Sequence, residues 1–184
     1  SLILFLMLDF IVSKYTNLFH IRKNCYEYFE IKKDDKDYYS YDLSKNCFAF
    51  EHKGKTPAYN VYTDDQGYRI GKNSKRTIKD KIIFLGDSFT YGFGVDYEHS
   101  VPGYIQKKLK NKFEIINLAV TGYSPSMNLF KLNEYLTNNN KFKIKKVFYI
   151  LDLTDVHDEA NRWKNLEDIA RPVLQEKNVE NEIK

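Results

Sequence analysis

The chain has 184 residues, 42% of them hydrophobic and 16% aromatic, and its 29 Lys and Arg against 25 Asp and Glu leave a net charge of +4. It is long enough to bury one ordinary core. Its lysines are scattered rather than striped, the densest basic stretch (72–81) reads as a solvated linker, and no zinc-finger, Walker or Gly-x-Gly-x-x-Gly pattern occurs, so nucleic acid is not an expected partner.

Residues 1–23 open with an apolar run, Leu2-Ile3-Leu4-Phe5-Leu6-Met7-Leu8, broken by Asp9 and resumed by Phe10-Ile11-Val12. A bilayer span needs about twenty residues, so this run is too short to cross alone. It also lacks the basic start and small-residue cleavage site of a signal peptide. We read it as the trailing part of a longer hydrophobic segment, a partial membrane anchor, with a short buried helix as the alternative. Lys14, His20, Arg22 and Lys23 flank its trailing end, which the positive-inside tendency would leave in the cytoplasm.

Residues 24–80 are aromatic and charged without sustained helical period. Tyr38-Tyr39-Ser40-Tyr41 and Ala58-Tyr59-Asn60-Val61-Tyr62 suit short strands, in a segment expected to wrap the core rather than fold alone. Its tyrosines are packing groups with a wet hydroxyl, or a sugar platform if they lie near an active face. Cys25 and Cys47 match neither a redox Cys-x-x-Cys nor a zinc site. They pair in an oxidising compartment or stay two separate buried thiols.

Residues 81–163 carry the α/β pattern. A short apolar strand from Lys81 runs into Gly86-Asp87-Ser88. A helix follows over 101–110 with Pro102 in its first turn. A second strand, Phe113-Glu114-Ile115-Ile116-Asn117-Leu118-Ala119-Val120, leads to Thr121-Gly122-Tyr123-Ser124-Pro125-Ser126. A helix over 126–138 stops at Asn138-Asn139-Asn140. A third strand, Lys146-Val147-Phe148-Tyr149-Ile150-Leu151-Asp152-Leu153, ends in Thr154-Asp155-Val156-His157-Asp158-Glu159. This βαβαβ order predicts parallel pairing with right-handed crossovers. Three strands make a thin sheet, which points to further sequence. Residues 164–184 are charged and interrupted by Pro172, a helix fragment with a frayed end.

Three strand ends thus bring a serine, a glycine and a polar cluster to the side where open parallel sheets bind ligands. A serine hydroxyl becomes a nucleophile when a base takes its proton and donors receive the oxyanion. Gly122 has no Cβ, so its backbone can approach a substrate closely. The plainer reading of Ser88 is a helix cap in a strand-to-helix loop.

Gly86-Asp87-Ser88-Phe89-Thr90 with Gly92, and Asn117 through Gly122, resemble the first two blocks of the SGNH/GDSL hydrolase superfamily. The resemblance covers 62–163 and is strongest to membrane-anchored bacterial SGNH-like proteins, whose upstream Asn-x-x-Gly-Phe-Arg element is loosely matched by Asp64-Asp65-Gln66-Gly67-Tyr68-Arg69. It implies a three-layer α/β/α flavodoxin-like parallel sheet, incomplete at the C-terminus. It also implies a carboxylic-ester hydrolase or O-acyltransferase with Ser88 as nucleophile and the N–H groups of Ser88 and Gly122 holding the oxyanion. The substrate class implied is an acylated small molecule or glycan, without cofactor or metal, in an extracytoplasmic (periplasmic), membrane-tethered domain.

Two positions depart from the family pattern. Thr154 stands in the slot of the oxyanion-binding Asn, and a hydroxyl is a shorter donor than an amide. The Asp-x-x-His block that supplies the base is not reached before Lys184, so the chain is expected to be part of a longer protein without a complete triad. Of the four histidines, His20 and His52 precede the core and His99 starts a helix, so His157 is the candidate base, with a surface histidine in a charged helix start as its plainer reading. Asp155, Asp158 and Glu159 match no dedicated ion loop and suit a solvated, acidic helix start. The competing function is a non-catalytic SGNH-fold binding or assembly module in polysaccharide biosynthesis. A phosphate or nucleotide binder would need a phosphate loop that is not present.

Overall fold

The computed structural model describes residues 24–33, 36–52, 57–75, 77–110, 112–139 and 141–160. The apolar lead 1–23 and the charged segment 164–184 lie outside these residues, as do the expectations attached to them. Among the described residues no helix is long and apolar enough to cross a membrane.

The elements in chain order begin with a hairpin, β1 (Tyr26–Lys33) and β2 (Lys36–Leu43), followed by β3 (Phe48–Glu51), β4 (Tyr59–Thr63) and β5 (Arg69–Ile70). Then come β6 (Lys81–Gly86), α1 (Ser88–Tyr91), α2 (Val101–Leu109), β7 (Glu114–Asn117), α3 (Pro125–Asn138), β8 (Ile144–Ile150) and α4 (Leu153–Asp158). The two long helices lie where the sequence pattern places them.

One six-stranded sheet runs β3-β4-β5-β7-β6-β8. Strands β7, β6 and β8 are parallel, and β5, β4 and β3 continue antiparallel from the β7 side. The sheet is therefore mixed, where a parallel one was expected. Residues 24–80 do more than wrap the core, since they supply half of its strands. The physical reason is connection length: short links join antiparallel neighbours, whereas a parallel pair needs a long crossover.

β6 is buried along its whole length, as expected for the central strand of a parallel set. Its side chains alternate between two faces. Ile83 and Leu85 join Ile116, Leu118 and Tyr135 with Leu132 and Leu136 of α3, while Ile82 and Phe84 join Ile115 with Ile105 and Leu109 of α2. The two helices thus cover opposite faces, and the carboxyl ends of β6, β7 and β8 are left for the site.

The β1–β2 hairpin forms its own two-stranded ladder. It is tied to the sheet by a Cys25–Cys47 disulfide with Cα atoms 5.8 Å apart, and by a buried ion pair of Lys131 on α3 with Asp42. The pairing that the sequence left open is therefore made. Tyr26 and Tyr41 pack on a core cluster that includes Tyr91, Val120 and Tyr123.

Candidate active site

The serine turn is built by close approach. Gly86 has φ 150°, and a Cβ there would lie 2.2 Å from Thr90 Oγ1 and 2.9 Å from the Ile150 carbonyl oxygen, so only glycine lets α1 and β8 close on the end of β6. Asp87 caps α1: its Oδ1 accepts from Phe89 N–H at 3.0 Å, and its Oδ2 accepts from the Ser88 hydroxyl at 3.1 Å. Asn128 on α3 fixes the strand end by accepting from Gly86 N–H at 3.0 Å.

The exit of the turn is held by Arg69, which is fully buried. Its Nη1 donates to the carbonyls of Tyr91 (2.6 Å) and Gly92 (2.7 Å), and its Nη2 donates to that of Val95 (2.6 Å). The guanidinium also lies over the Tyr91 ring at 4.4 Å. Arg69 is the last residue of the upstream element singled out in the sequence, and β5 delivers it there. Within that element Asp64 Oδ1 accepts from the Gln66 and Tyr68 N–H groups at 3.0 and 2.9 Å, an Asx turn that aims the following residues.

Beyond β7, Asn117 closes its own loop by accepting from Ala119 N–H at 3.2 Å, and Gly122 turns the chain with φ 75°. Ser88, Thr121 and Gly122 line a cavity of about 650 Å³ together with Tyr26, Tyr28 and Tyr41. Tyr26 shares a hydrogen bond with Thr121 Oγ1 at 2.6 Å, and the Tyr41 hydroxyl donates to the Thr121 carbonyl at 2.6 Å. Glu51, His52, Tyr59 and Phe93 line it as well. Burial pushes the Tyr26 and Tyr59 hydroxyls well above the usual tyrosine range, so both stay protonated donors.

A second polar group lies at the end of β8. Asp87, Asp152 and Asp155 each bring one carboxylate oxygen within 4.8 Å of the others. Burial, reinforced by Asp152, raises the Asp87 carboxyl above its ordinary range, and burial likewise raises Asp155. Asp152 is lowered, chiefly by the Thr154 hydroxyl that donates to it. Three carboxylates so close are the donor type a hard cation would take.

Thr154 is exposed and gives both its N–H and its hydroxyl to Asp152 Oδ1 at 2.5 Å. It does not line the cavity that Ser88 and Gly122 share. His157 is 75% exposed beside Asp158, whereas His52 lines the cavity with Ser88. The acidic run after β8 is not a solvated helix start. Asp155 is fully buried and forms a capping box with Asp152, and Glu159 accepts from Ser126 N–H at 3.0 Å. Sequence order hid His52 and Glu51, which reach the site only through the β3-β4-β5-β7 pairing. The tyrosine-rich composition was the available signal for the wall around them.

No protein-family model matches the chain. It is 34% identical over 87 residues to an uncharacterized protein of Mycoplasma pneumoniae (strain ATCC 29342 / M129 / Subtype 1), a match covering 41% of this chain and 9% of that protein. The chain thus spans a small part of that relative's length. Among solved structures it is similar to AlinE4, an SGNH-hydrolase family esterase, at 23% identity, 56% coverage of this chain, 57% of that one, and a TM-score of 0.38.

Proposed function

We propose that the protein is a serine ester hydrolase or O-acyltransferase of the SGNH type, with Ser88 as the nucleophile. The observation that carries this reading is that Ser88 and Gly122, following neighbouring parallel strands, line one cavity. In the proposed reaction Ser88 Oγ bonds to the acyl carbon and its proton passes to a base. The N–H groups of Ser88 and Gly122 hold the oxyanion. The alcohol then leaves with a proton from that base, and water or a sugar hydroxyl resolves the acyl-serine. Among the described residues His52 is the imidazole that shares the cavity with Ser88. Thr154 stands third as an oxyanion donor, because its hydroxyl is given to Asp152.

The strand order supports the finer fold assignment. The parallel set β7-β6-β8 runs second-first-third along the chain, the order that begins a flavodoxin-like sheet. We place the domain outside the cytoplasm, tethered through its N-terminal segment and acting on an acyl ester of a small molecule or glycan. The Cys25–Cys47 bond supports an oxidising compartment.

One observation favours the second reading, a non-catalytic binding or assembly module. The Ser88 hydroxyl donates to Asp87 rather than to an imidazole. A serine-directed fluorophosphonate separates the two. On the enzyme reading the wild type is labelled and Ser88→Ala is not, with loss of several orders of magnitude in rate. Absence of labelling in both proteins favours the module, and equal labelling of both removes Ser88 as the nucleophile.

A further inference from the structure

The cavity that Ser88 lines is rich in aromatic rings. Tyr26, Tyr28, Tyr41, Tyr59 and Phe93 supply five aromatic rings, and Glu51 is the one carboxylate among the described lining residues. No Lys or Arg is among those lining residues, in a chain that carries 29 of them. His52, next to Glu51 in sequence, is the one imidazole among the described lining residues.

Glu51 is placed with care. It closes β3 opposite Tyr59 in the β3–β4 ladder and is only 7% exposed. The Tyr59 hydroxyl donates to its Oε2 at 2.6 Å, while its Oε1 is buried with no hydrogen-bond partner. A buried carboxylate with one oxygen lacking a donor is costly, so the position favours positive charge brought close to it. The rings around it are coupled: Tyr26 meets Tyr41 edge-on at 5.8 Å, Tyr28 lies 5.9 Å from Tyr41, and Tyr59 meets Phe93 edge-on at 5.8 Å. Aromatic faces attract cations through the ring quadrupole, most strongly where water is excluded.

We propose that this cavity seats an alkylammonium group of its ligand, with Glu51 as the counter-charge and the tyrosine rings as walls. A ligand so held carries its ester toward Ser88, so the catalytic half of the proposal rests on the reading above, whereas the binding half does not. Neutral analogues of the same shape keep the apolar contact and lose the charge term.

The test uses the Ser88→Ala protein, so that binding is measured without turnover. Choline and its uncharged isostere 3,3-dimethylbutanol are titrated and followed by tyrosine fluorescence. Choline should bind at least about tenfold tighter than the isostere, and Glu51→Gln should remove that preference. Tyr28→Leu, at a side chain 73% exposed and therefore safe for folding, should weaken choline by about threefold and leave the isostere unchanged. Equal affinity for both ligands, binding of neither, or a preference that survives Glu51→Gln overturns the proposal. Acetylcholine turnover by the unmutated protein separates the two readings. Choline binding without Ser88-dependent hydrolysis leaves the site standing and removes the esterase. Ser88-dependent hydrolysis of p-nitrophenyl acetate without choline preference does the reverse.

Discussion

The two sides of the cavity are held in place by different means. The side carrying Ser88 and Gly122 follows directly from strand register: β6 and β7 pair in parallel over four residue pairs, and the turns that follow inherit that alignment. The tyrosine side, with Tyr26, Tyr28 and Tyr41, belongs to a hairpin that makes no ladder with the main sheet among the described residues. It is fixed by a disulfide, by the Lys131–Asp42 pair, and by hydroxyls such as that of Tyr123, which donates to the Tyr41 carbonyl at 2.7 Å. Main-chain ladders fail cooperatively, whereas a few side-chain ties can be cut one at a time. Substitutions can therefore loosen one side while the other keeps its geometry.

The largest effect on the serine side is expected from Arg69→Met. It removes four hydrogen bonds from a buried guanidinium, three of them short and worth roughly 1.5–3 kcal/mol each, and leaves the carbonyls without that donor, so unfolding in urea should show a loss of at least ~4 kcal/mol. Arg69→Lys should recover only part, since an ammonium cannot reproduce the planar fork. Full recovery by lysine would mean that charge alone holds the turn.

On the tyrosine side, Cys25→Ser with Cys47→Ser opens a link between residues 22 apart in sequence and should cost about 3 kcal/mol. Amide exchange should then quicken in β1 and β2 and stay slow in β6 and β7. Uniform quickening would show that the two sides unfold as one unit.

Asp155→Asn probes the group beneath the serine turn. The folded-state pKa of Asp155 is raised by burial and by the neighbouring Asp87 and Asp152. A raised carboxyl stabilises the fold while protonated and loses that contribution as pH rises through its folded value. The asparagine keeps an acceptor for the Asp152 N–H and does not titrate. The variant should therefore gain on the wild type in melting temperature across the range from about pH 4 upward, where the unfolded carboxyl ionises. A constant difference across that range would mean that the Asp155 charge is fully compensated.

The smallest effect is expected from Thr154→Ala, which removes an exposed hydroxyl hydrogen bond worth at most ~1 kcal/mol. Should it instead slow Ser88 labelling by about a hundredfold, Thr154 acts as an oxyanion donor.

The same division governs how much could be read beforehand. The apolar run into Gly86-Asp87-Ser88 and the helical periods after it signal structure locally, and Val101–Leu109 and Pro125–Asn138 fall within a residue of expectation. β5 is only two residues long and has no periodicity to detect, yet it joins the two halves of the sheet. His52 and Glu51 precede the serine by more than thirty positions, and nothing in their neighbourhood indicates which strand edge they will meet. Asp155 looked like one charge in an acidic helix start. The Asp152-x-x-Asp155 spacing does suit a cap, but its burial depends on β6, which brings Asp87 against it. The cysteine spacing fitted two outcomes, and the hairpin's docking decided between them.

Arg69 also bears on how transferable the serine motif is. A Gly-Asp-Ser turn looks self-contained, a few residues that any parallel strand could present. Here the backbone leaving the turn is anchored from β5, about twenty residues upstream on an antiparallel strand. Transplanting residues 86–92 into another α/β scaffold would carry the hydroxyl without its anchor, and an engineer would have to move the Asx turn and its arginine as well. The smallest heritable unit of this site is therefore a pair of segments distant in sequence, and a search for the serine motif alone will collect turns that lack the means to hold it.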